Sequence, residues 1–480
     1  MYILYKKGDY MKKYNLSFTE EETPKYMQIS KHFKNLIDEN LVEDAEKLPA
    51  IRELSKYLKV NNVTVVNAYK RLESEGYAIQ KIGSGTYAKK KENTKSFNRK
   101  YSEILKKLSN EQLKSYIDFA GETTSSEFFP VSTFKKVLNE VLDRDGSEAL
   151  IYQESLGYTG LRSAINQFFW NNEVELDAIL IVSGAQQGID IISKALLNVN
   201  DSVIVEKPTY SGALTVFKWR RVNILEVEIE EDGIDIKEFE GLLKKNKVKL
   251  FYTMSYFQSP STVTCSLEKK LQILDLAEKY DFYIVEDDYL SELIYDKNIE
   301  YKSYRSLDKN DRVIYIKSFS KIFLPGIRIG YLITPEKFKE VIQNSKINTD
   351  ISTSSLMQRA LELYIRNGYW REHINNINTI YSKRYDYMKN LLQTKYTDEF
   401  EVFFPGGGLN FYLKIKEKIN CNCKELFFLC LNKKVLITPG VIFYKNSSDG
   451  KRFFRISFSQ TSENTLEQGL KTIGEILKKH

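Results

Sequence analysis

Residues 318–331, SFSKIFLPGIRIGY, decide how this 480-residue chain is read. Lys321 stands in a run of Ser and Phe, and Arg328 follows seven residues on, after a Pro-Gly turn at 325–326. A lysine amine attacks an aldehyde once its pKa is depressed, and a planar guanidinium matches phosphate oxygens two at a time. Together they point to a site that holds a phosphorylated aldehyde cofactor through an amine and an arginine fork.

Upstream, the apolar run RVIYIKSFS (312–320) reads as a buried strand feeding that site. Four more runs of the same kind precede it: AILIVSG (178–184), DSVIVEKP (201–208), VKLFYTM (248–254) and FYIVEDD (282–288). They alternate with amphipathic helical patterns, which predicts an α/β domain over 116–480. Each run ends in polar or Gly-rich residues, where ligands of open α/β sheets collect. SGAQQGID (183–190) leaves a strand and opens a helix. Helix N-termini present free N–H groups to anions, so Gly184, Ala185 and Gln186 are candidates for cradling the phosphate.

Composition excludes little. Hydrophobic residues are 42% and charged residues 28%, the profile of a globular protein, and the net charge of +7 is modest for this length. The four cysteines, at 265, 421, 423 and 430, form no zinc spacing. Cys421 and Cys423 are open to two readings, a metal pair or two solvent-side thiols. No apolar run approaches the ~20 residues of a membrane span, and the start MYILYKKGDYMKK lacks signal-peptide order and reads as a floppy leader. A cytoplasmic protein is expected.

Towards the N-terminus, Tyr26, Ile29, Phe33, Leu36 and Ile37 recur at helical spacing. EKLPAIRELSKYLKV (46–60) predicts a second helix with Pro49 in its first turn, and NVTVVNAYKRLESEGYA (62–78) a third that Gly76 stops. Two short helices joined by a tight turn make a helix-turn-helix, whose second helix can enter a DNA major groove. AIQKIGSGTYA (78–88) then reads as a hairpin around Gly83 and Gly85. The domain limits expected are 17–90 for this module, 91–115 for a Lys-rich linker, helical near 104–108 at most, and 116–480 for the rest.

The motifs L-P-x-x-R-x-L, T-V-x-x-A-Y-x-x-L-x-x-E-G and G-S-G-T resemble the winged helix-turn-helix of GntR-family regulators. That resemblance implies a double-stranded DNA operator. Arg52 would contact phosphate or a base, and Thr64, Val65 and Asn67 base edges or phosphates. Gly85 would let the wing approach the minor groove, and Asn62, where the family often has Arg, would pair with adenine.

The stretch around Lys321 resembles the cofactor-lysine segment of fold-type I aminotransferases, which use pyridoxal 5′-phosphate (PLP). This resemblance spans most of 116–480. It makes Lys321 the Schiff-base lysine, gives Ser318 and Arg328 the phosphate, and lays Tyr210 over the pyridine ring. In VEDDY (285–289), Asp287 would hold the ring nitrogen protonated, with Asp288 as second candidate, and Tyr289 would bond O3′. Arg455, in RFFRISFS (452–459), would receive a carboxylate of the substrate or effector. Tyr152 would reach the phosphate of a neighbouring subunit, implying a homodimer. The usual N-P-[TS]-G is replaced by Ser259-Pro260-Ser261-Thr262, leaving Ser259 or Gln258 to substitute for the missing Asn. The module order is similar to the MocR/GabR subfamily of GntR-family regulators. It implies a PLP-dependent transcription regulator that senses a small amino compound. The rivals are a working aminotransferase and a DNA-binding protein whose large domain no longer uses PLP.

Overall fold

The computed structural model describes residues 11–19, 23–38, 41–43, 45–81, 84–89, 94–108, 115–152 and 154–480. The chain divides into two compact units, Met1–Glu103 and Ile104–His480.

In the first unit, α1 (Lys25–Asp38), α2 (Ile51–Tyr57) and α3 (Asn62–Ser74) pack around one core. Pro49 lies just before α2, outside its first turn, because the extended residue Ala50 precedes Ile51. Its carbonyl accepts the Tyr69 hydroxyl at 2.7 Å, which ties α2 to α3. Asn61 caps α3 by accepting the Val63 N–H. At the other end Gly76, at φ 77°, turns the chain, and the Tyr77 N–H bonds back to the Leu72 carbonyl. The hairpin of β1 (Ala78–Lys81) and β2 (Gly85–Ala88) follows, pairing Lys81 with Gly85; Gly83 lies outside the described residues. Tyr14, just ahead of the expected limit at residue 17, is fully buried and stacks on Phe33 at 5.1 Å, so it belongs to the module's core.

The segment expected to be a tether is largely helical, as α4 (Thr94–Lys107). Its pattern is weak in hydrophobic count but not in spacing: Phe97 and Tyr101 stand one turn apart, stacked and buried.

The second unit is an α/β domain with a mixed sheet of order β4-β11-β10-β9-β8-β5-β6-β7. Its strands are β4 (Ile179–Val182), β5 (Ser202–Lys207), β6 (Asn223–Glu230), β7 (Gly233–Ile234), β8 (Val248–Thr253), β9 (Tyr283–Asp288), β10 (Val313–Ser318) and β11 (Gly330–Ile333). All five predicted runs are strands here, and their near-continuous burial explains why they read as unbroken apolar runs. The pairings of β10, β9, β8, β5 and β6 are parallel. Between β10 and β4, β11 runs antiparallel to both. The β10–β11 connection, residues 319–329, therefore doubles back, and it lies at the same end of the sheet as the C-terminal ends of β4 and β9. A short strand, β3 (Ile117–Asp118), pairs with β14 (Val435–Leu436). The C-terminal part forms a four-stranded sheet of β12 (Phe400–Val402), β13 (Asn410–Ile415), β16 (Phe453–Ser457) and β15 (Thr438–Pro439), in the order β12-β13-β16-β15.

Cys421 and Cys423 are buried rather than solvent-facing, Cys423 because it opens a helix and directs its thiol at the Gly450 carbonyl. Among the described residues no group of His, Cys, Asp and Glu is placed to hold a metal, and no helix is long and apolar enough to cross a membrane.

Candidate functional site

A cavity of about 190 Å³ opens where the ends of β4, β9 and β10 meet. Its wall includes Ser318, Ser320, Lys321 and Arg328 from the β10–β11 return, and Ala185 and Gln186 from the helix after β4. Asp287 and Tyr289 enter from the end of β9, with Tyr210, Ser259 and Glu122 from other segments.

The return is shaped by its own chemistry. A 3-10 turn spans Pro325–Ile327, and Arg328 follows with left-handed φ 52° and ψ 55°. That conformation brings its guanidinium back, so that Nη2 donates to the Ser183 carbonyl at 2.8 Å and Nη1 to Ser320 Oγ at 3.2 Å. Gly184 has φ 95°, and a Cβ there would come within 2.9 Å of Arg328 Nη2. The left-handed φ is what favours glycine here, and the missing Cβ leaves the Arg328 guanidinium its place. The first N–H groups of the helix Ala185–Leu196 lack acceptors within the helix, which completes an anion seat.

Strand alternation separates the two adjacent aspartates. Asp288 points away from the cavity and is consumed by Lys317 Nζ at 3.1 Å, Ser291 Oγ at 2.8 Å, Tyr315 at 2.8 Å and Tyr301 at 2.6 Å. Asp287 accepts the Tyr252 hydroxyl on Oδ2 at 2.7 Å, while Oδ1 is buried without a partner. Burial pushes its carboxyl up to about 6, against the Tyr252 hydrogen bond, and the charge on Asp288 adds to the rise.

Other expected contacts are arranged differently. The Tyr289 hydroxyl donates to the Phe257 carbonyl at 2.6 Å, and the Tyr210 hydroxyl to Gln186 Oε1 at 3.2 Å. Gln258 is unsuited to replace the missing Asn. Its amide nitrogen bonds Glu206 and the Pro208 carbonyl, and its oxygen accepts from Ser261. Ser259 does reach the cavity, where Oγ accepts Arg455 Nη1 at 3.2 Å. Tyr152 lies away from the cavity and is 78% exposed, next to the exposed Leu150 and Ile151.

Sequence reasoning missed Glu122. Its Oε2 accepts Lys321 Nζ at 2.6 Å, and its Oε1 pairs with Arg455 Nη1. Burial raises its pKa, but Arg455 first and Lys321 second outweigh burial and hold it at about 2. Arg455 itself, 2% exposed, is absent from the cavity wall, which Glu122 forms in its place. Nothing in the local sequence DFAGETT singles out this acid; the signal is the meeting of three segments distant in the chain.

In the first unit, Arg52 and Asn67 are exposed on α2 and α3 and Thr64 is half-buried. Val65 is a correction. It is fully buried in the core with Ala68, Tyr69 and Leu72, because positions 65, 68, 69 and 72 make the inward face of α3. Val63, 60% exposed, takes the outward place. Asn62 is exposed, but its Oδ1 already accepts Ser55 Oγ at 2.6 Å, which leaves its amide N–H groups outward. Gly85 sits at φ 119° at the start of β2.

Residues 120–473 match the family described as aminotransferase class I and II. The chain belongs to that family. Residues 25–88 of this aminotransferase-family chain match the bacterial regulatory proteins of the gntR family, a DNA-binding module. The chain is 31% identical to aromatic-amino-acid aminotransferase 1 of Thermococcus litoralis, over 80% of its own length and 93% of the relative's. It is 28% identical to the uncharacterized HTH-type transcriptional regulator YdfD of Bacillus subtilis, over 96% of this chain and 99% of that one. Among solved structures, the kynurenine aminotransferase of Pyrococcus horikoshii superposes with a TM-score of 0.74 at 30% identity, covering 80% and 94% of the two chains. PLP is the cofactor of the family. The cavity fits it, with an anion seat at Arg328 and Gly184, an amine at Lys321, and at Asp287 a buried carboxylate oxygen lacking a partner.

Proposed function

We propose that this chain is a PLP-dependent transcription regulator whose aminotransferase-like unit senses a small primary amino compound. The observation that carries the reading is one chain holding both a gntR-type winged helix-turn-helix and a cavity whose wall suits PLP. YdfD, named as an HTH-type transcriptional regulator, is similar to this chain along nearly its whole length.

Bound PLP supplies an aldehyde and an electron-withdrawing ring. Each residue then has a defined task. Lys321 would hold the cofactor through its amine, the group with which an amino compound would compete. Arg328, Ser318 and Ser320 hold the phosphate with the helix N-terminus at Ala185 and Gln186. Asp287, through its unpartnered Oδ1, would hold a proton on the ring nitrogen, and Tyr210 would pack against the ring. Tyr289 and Ser259 would stand on the O3′ side, and Arg455 would be the receptor for a carboxylate. In a homodimer joined over the exposed 150–152 surface, Tyr152 reaches the partner's phosphate. Arg52, Thr64, Asn67, the Asn62 amide and the Gly85 wing meet the operator in the cytoplasm. The ligand acts by binding more tightly in one conformation of the dimer than in another.

A mobility-shift titration against DNA selected from a random duplex pool, with and without PLP and a panel of amines, tests the reading. Operator affinity that responds to an amine only when PLP is loaded supports it; affinity indifferent to both sinks it. The presence of Lys321 and Asp287 in one wall also favours a second reading, residual transamination. Steady conversion of loaded cofactor to its amine form by one equivalent of amino acid would support that.

A further inference from the structure

Glu122 has no part in the reading so far, yet it touches both groups that an amino compound would have to meet. The segment that carries it is fixed on either side. Asp118 Oδ1 accepts the N–H groups of Ala120 and Gly121 at 2.8 and 3.0 Å, closing a turn just before it. Gln460 Nε2 donates to the Thr123 carbonyl at 2.6 Å, and the Thr124 N–H to the Lys321 carbonyl at 2.9 Å. A Cβ on Gly121 would lie 2.6 Å from Gln460 Cγ, so the backbone here is seated tightly against its neighbour. From this fixed point the Glu122 side chain reaches the Arg455 guanidinium with one oxygen and Lys321 Nζ with the other.

Among the described residues, Glu122 is the one carboxylate ion-paired with Arg455. Its hydrogen bonds otherwise go to neutral hydroxyls, Ser259 Oγ at 3.2 Å and Thr438 Oγ1 at 3.4 Å, and it lies over the Phe443 ring at 5.2 Å from the centroid. Arg455 is buried to 2% exposure, and the cavity meets Glu122 before it meets the arginine. A ligand amine delivered to Lys321 therefore faces a fixed negative charge where a free carboxylate receptor would otherwise stand.

We propose that Glu122 is the specificity-determining residue of this site: its carboxylate occupies the seat at Arg455, so the site takes primary amines with no carboxylate on the amine-bearing carbon in preference to α-amino acids. An α-amino acid must either displace Glu122 from two cations or bring a second carboxylate against it. An amine without that carboxylate meets neither obstacle, and the Glu122–Arg455 pair stays intact beneath it. Discrimination comes from the repulsive element built into the wall, which is how closely similar ligands are commonly separated. The inference rests on the reading of the cavity as a PLP site that exchanges its amine.

The test uses the full-length protein loaded with PLP and two matched pairs of probes, L-alanine with ethylamine and L-phenylalanine with 2-phenylethylamine. Loading is measured first, as the borohydride-reducible adduct on Lys321. Dissociation constants then come from equilibrium titration of the visible cofactor band, per loaded protein and without reference to turnover. In the wild type, each amine should bind at least about tenfold tighter than its amino acid, the scale of one lost charge contact. Glu122→Gln and Glu122→Gly should each shift that ratio by about tenfold or more towards the amino acid, by freeing Arg455. Wild type that binds both members of a pair equally, or prefers the amino acid, overturns the proposal without any variant being needed. Variants that load but keep the wild-type ratio overturn it as well. If wild type forms no adduct on Lys321, the cofactor reading fails and takes this inference with it, an outcome distinct from a loaded protein that does not discriminate.

Discussion

Replacing Asp287 by Asn should stabilise the cofactor-free protein while it weakens PLP binding. The carboxyl is fully buried, and burial raises it from an ordinary 3.8 to about 6. A carboxyl raised on folding costs stability when ionised: the penalty is absent below the unfolded value, sets in as pH rises through it, and is complete above the folded value. A rise of this size corresponds to roughly 3 kcal/mol above pH 6, and to about half that at pH 5. Asn keeps an oxygen for the Tyr252 hydroxyl, which Oδ2 now accepts at 2.7 Å, and puts a neutral amide where Oδ1 has no partner. Denaturant unfolding of the apoprotein should therefore show Asp287→Asn to be the more stable form by up to ~3 kcal/mol at pH 8, with the gain shrinking towards pH 5. The same variant should lose PLP affinity at pH 8, since an amide cannot hold the ring nitrogen's proton by charge. An apoprotein destabilised at pH 8 with wild-type PLP affinity would refute the argument on both counts. Asp288 is the internal control. Its four polar partners hold it ionised, below the ordinary value, despite burial, so Asp288→Asn should destabilise instead.

Lys321→Ala should abolish the borohydride-reducible adduct, and peptide mapping that finds a full-yield adduct on another lysine would reject the assignment. Lys317→Met strips the buried cation from Asp288 and Glu292, at 3.1 and 2.7 Å. It should cost on the order of 3–5 kcal/mol in denaturant unfolding, because unpaired charges stay buried. Val65→Ala should lower the stability of the N-terminal unit by on the order of 2 kcal/mol through lost core volume, whereas Asn67→Ala should leave the melt alone and reduce operator affinity. Calorimetry and fluorescence anisotropy on the two variants separate these outcomes.

Legibility followed burial geometry. The five predicted strands were visible because each is buried almost throughout and so reads as a continuous apolar run: β5, β8, β9 and β10 pair in parallel, and β4, paired antiparallel with β11 at the sheet's edge, is buried along its whole length. The helix-turn-helix was visible from its spacing and its Gly76 stop. Val65 was misplaced because the recognition-helix motif marks its segment as DNA-facing, whereas the 3.6-residue period decides which side chains within it turn inward. Alternation along β9 similarly settles which aspartate meets the cavity, and a two-residue period can be applied only once the strand's covered face is known. In α4, Phe97 and Tyr101 were too sparse among lysines to announce a helix, although their four-residue spacing is what buries both rings.

What the sequence could not carry is the charge balance of the cavity. Arg455 is recognisable from its strand motif and Lys321 from its loop, but each motif describes its residue as though the surroundings were solvent. In the fold, both cations converge on one carboxylate from a segment some two hundred residues before the lysine. A guanidinium at 2% exposure needs an ionised partner within reach, since removing one member of a buried pair leaves an uncompensated charge. Either a ligand supplies that partner, and the unliganded site is strained, or the protein supplies it, and the ligand must compete. The position of Glu122 selects the second arrangement. A seat filled by the protein's own carboxylate keeps the cavity wall intact between ligands, which suits a site that signals occupancy more than one that turns over α-amino acids.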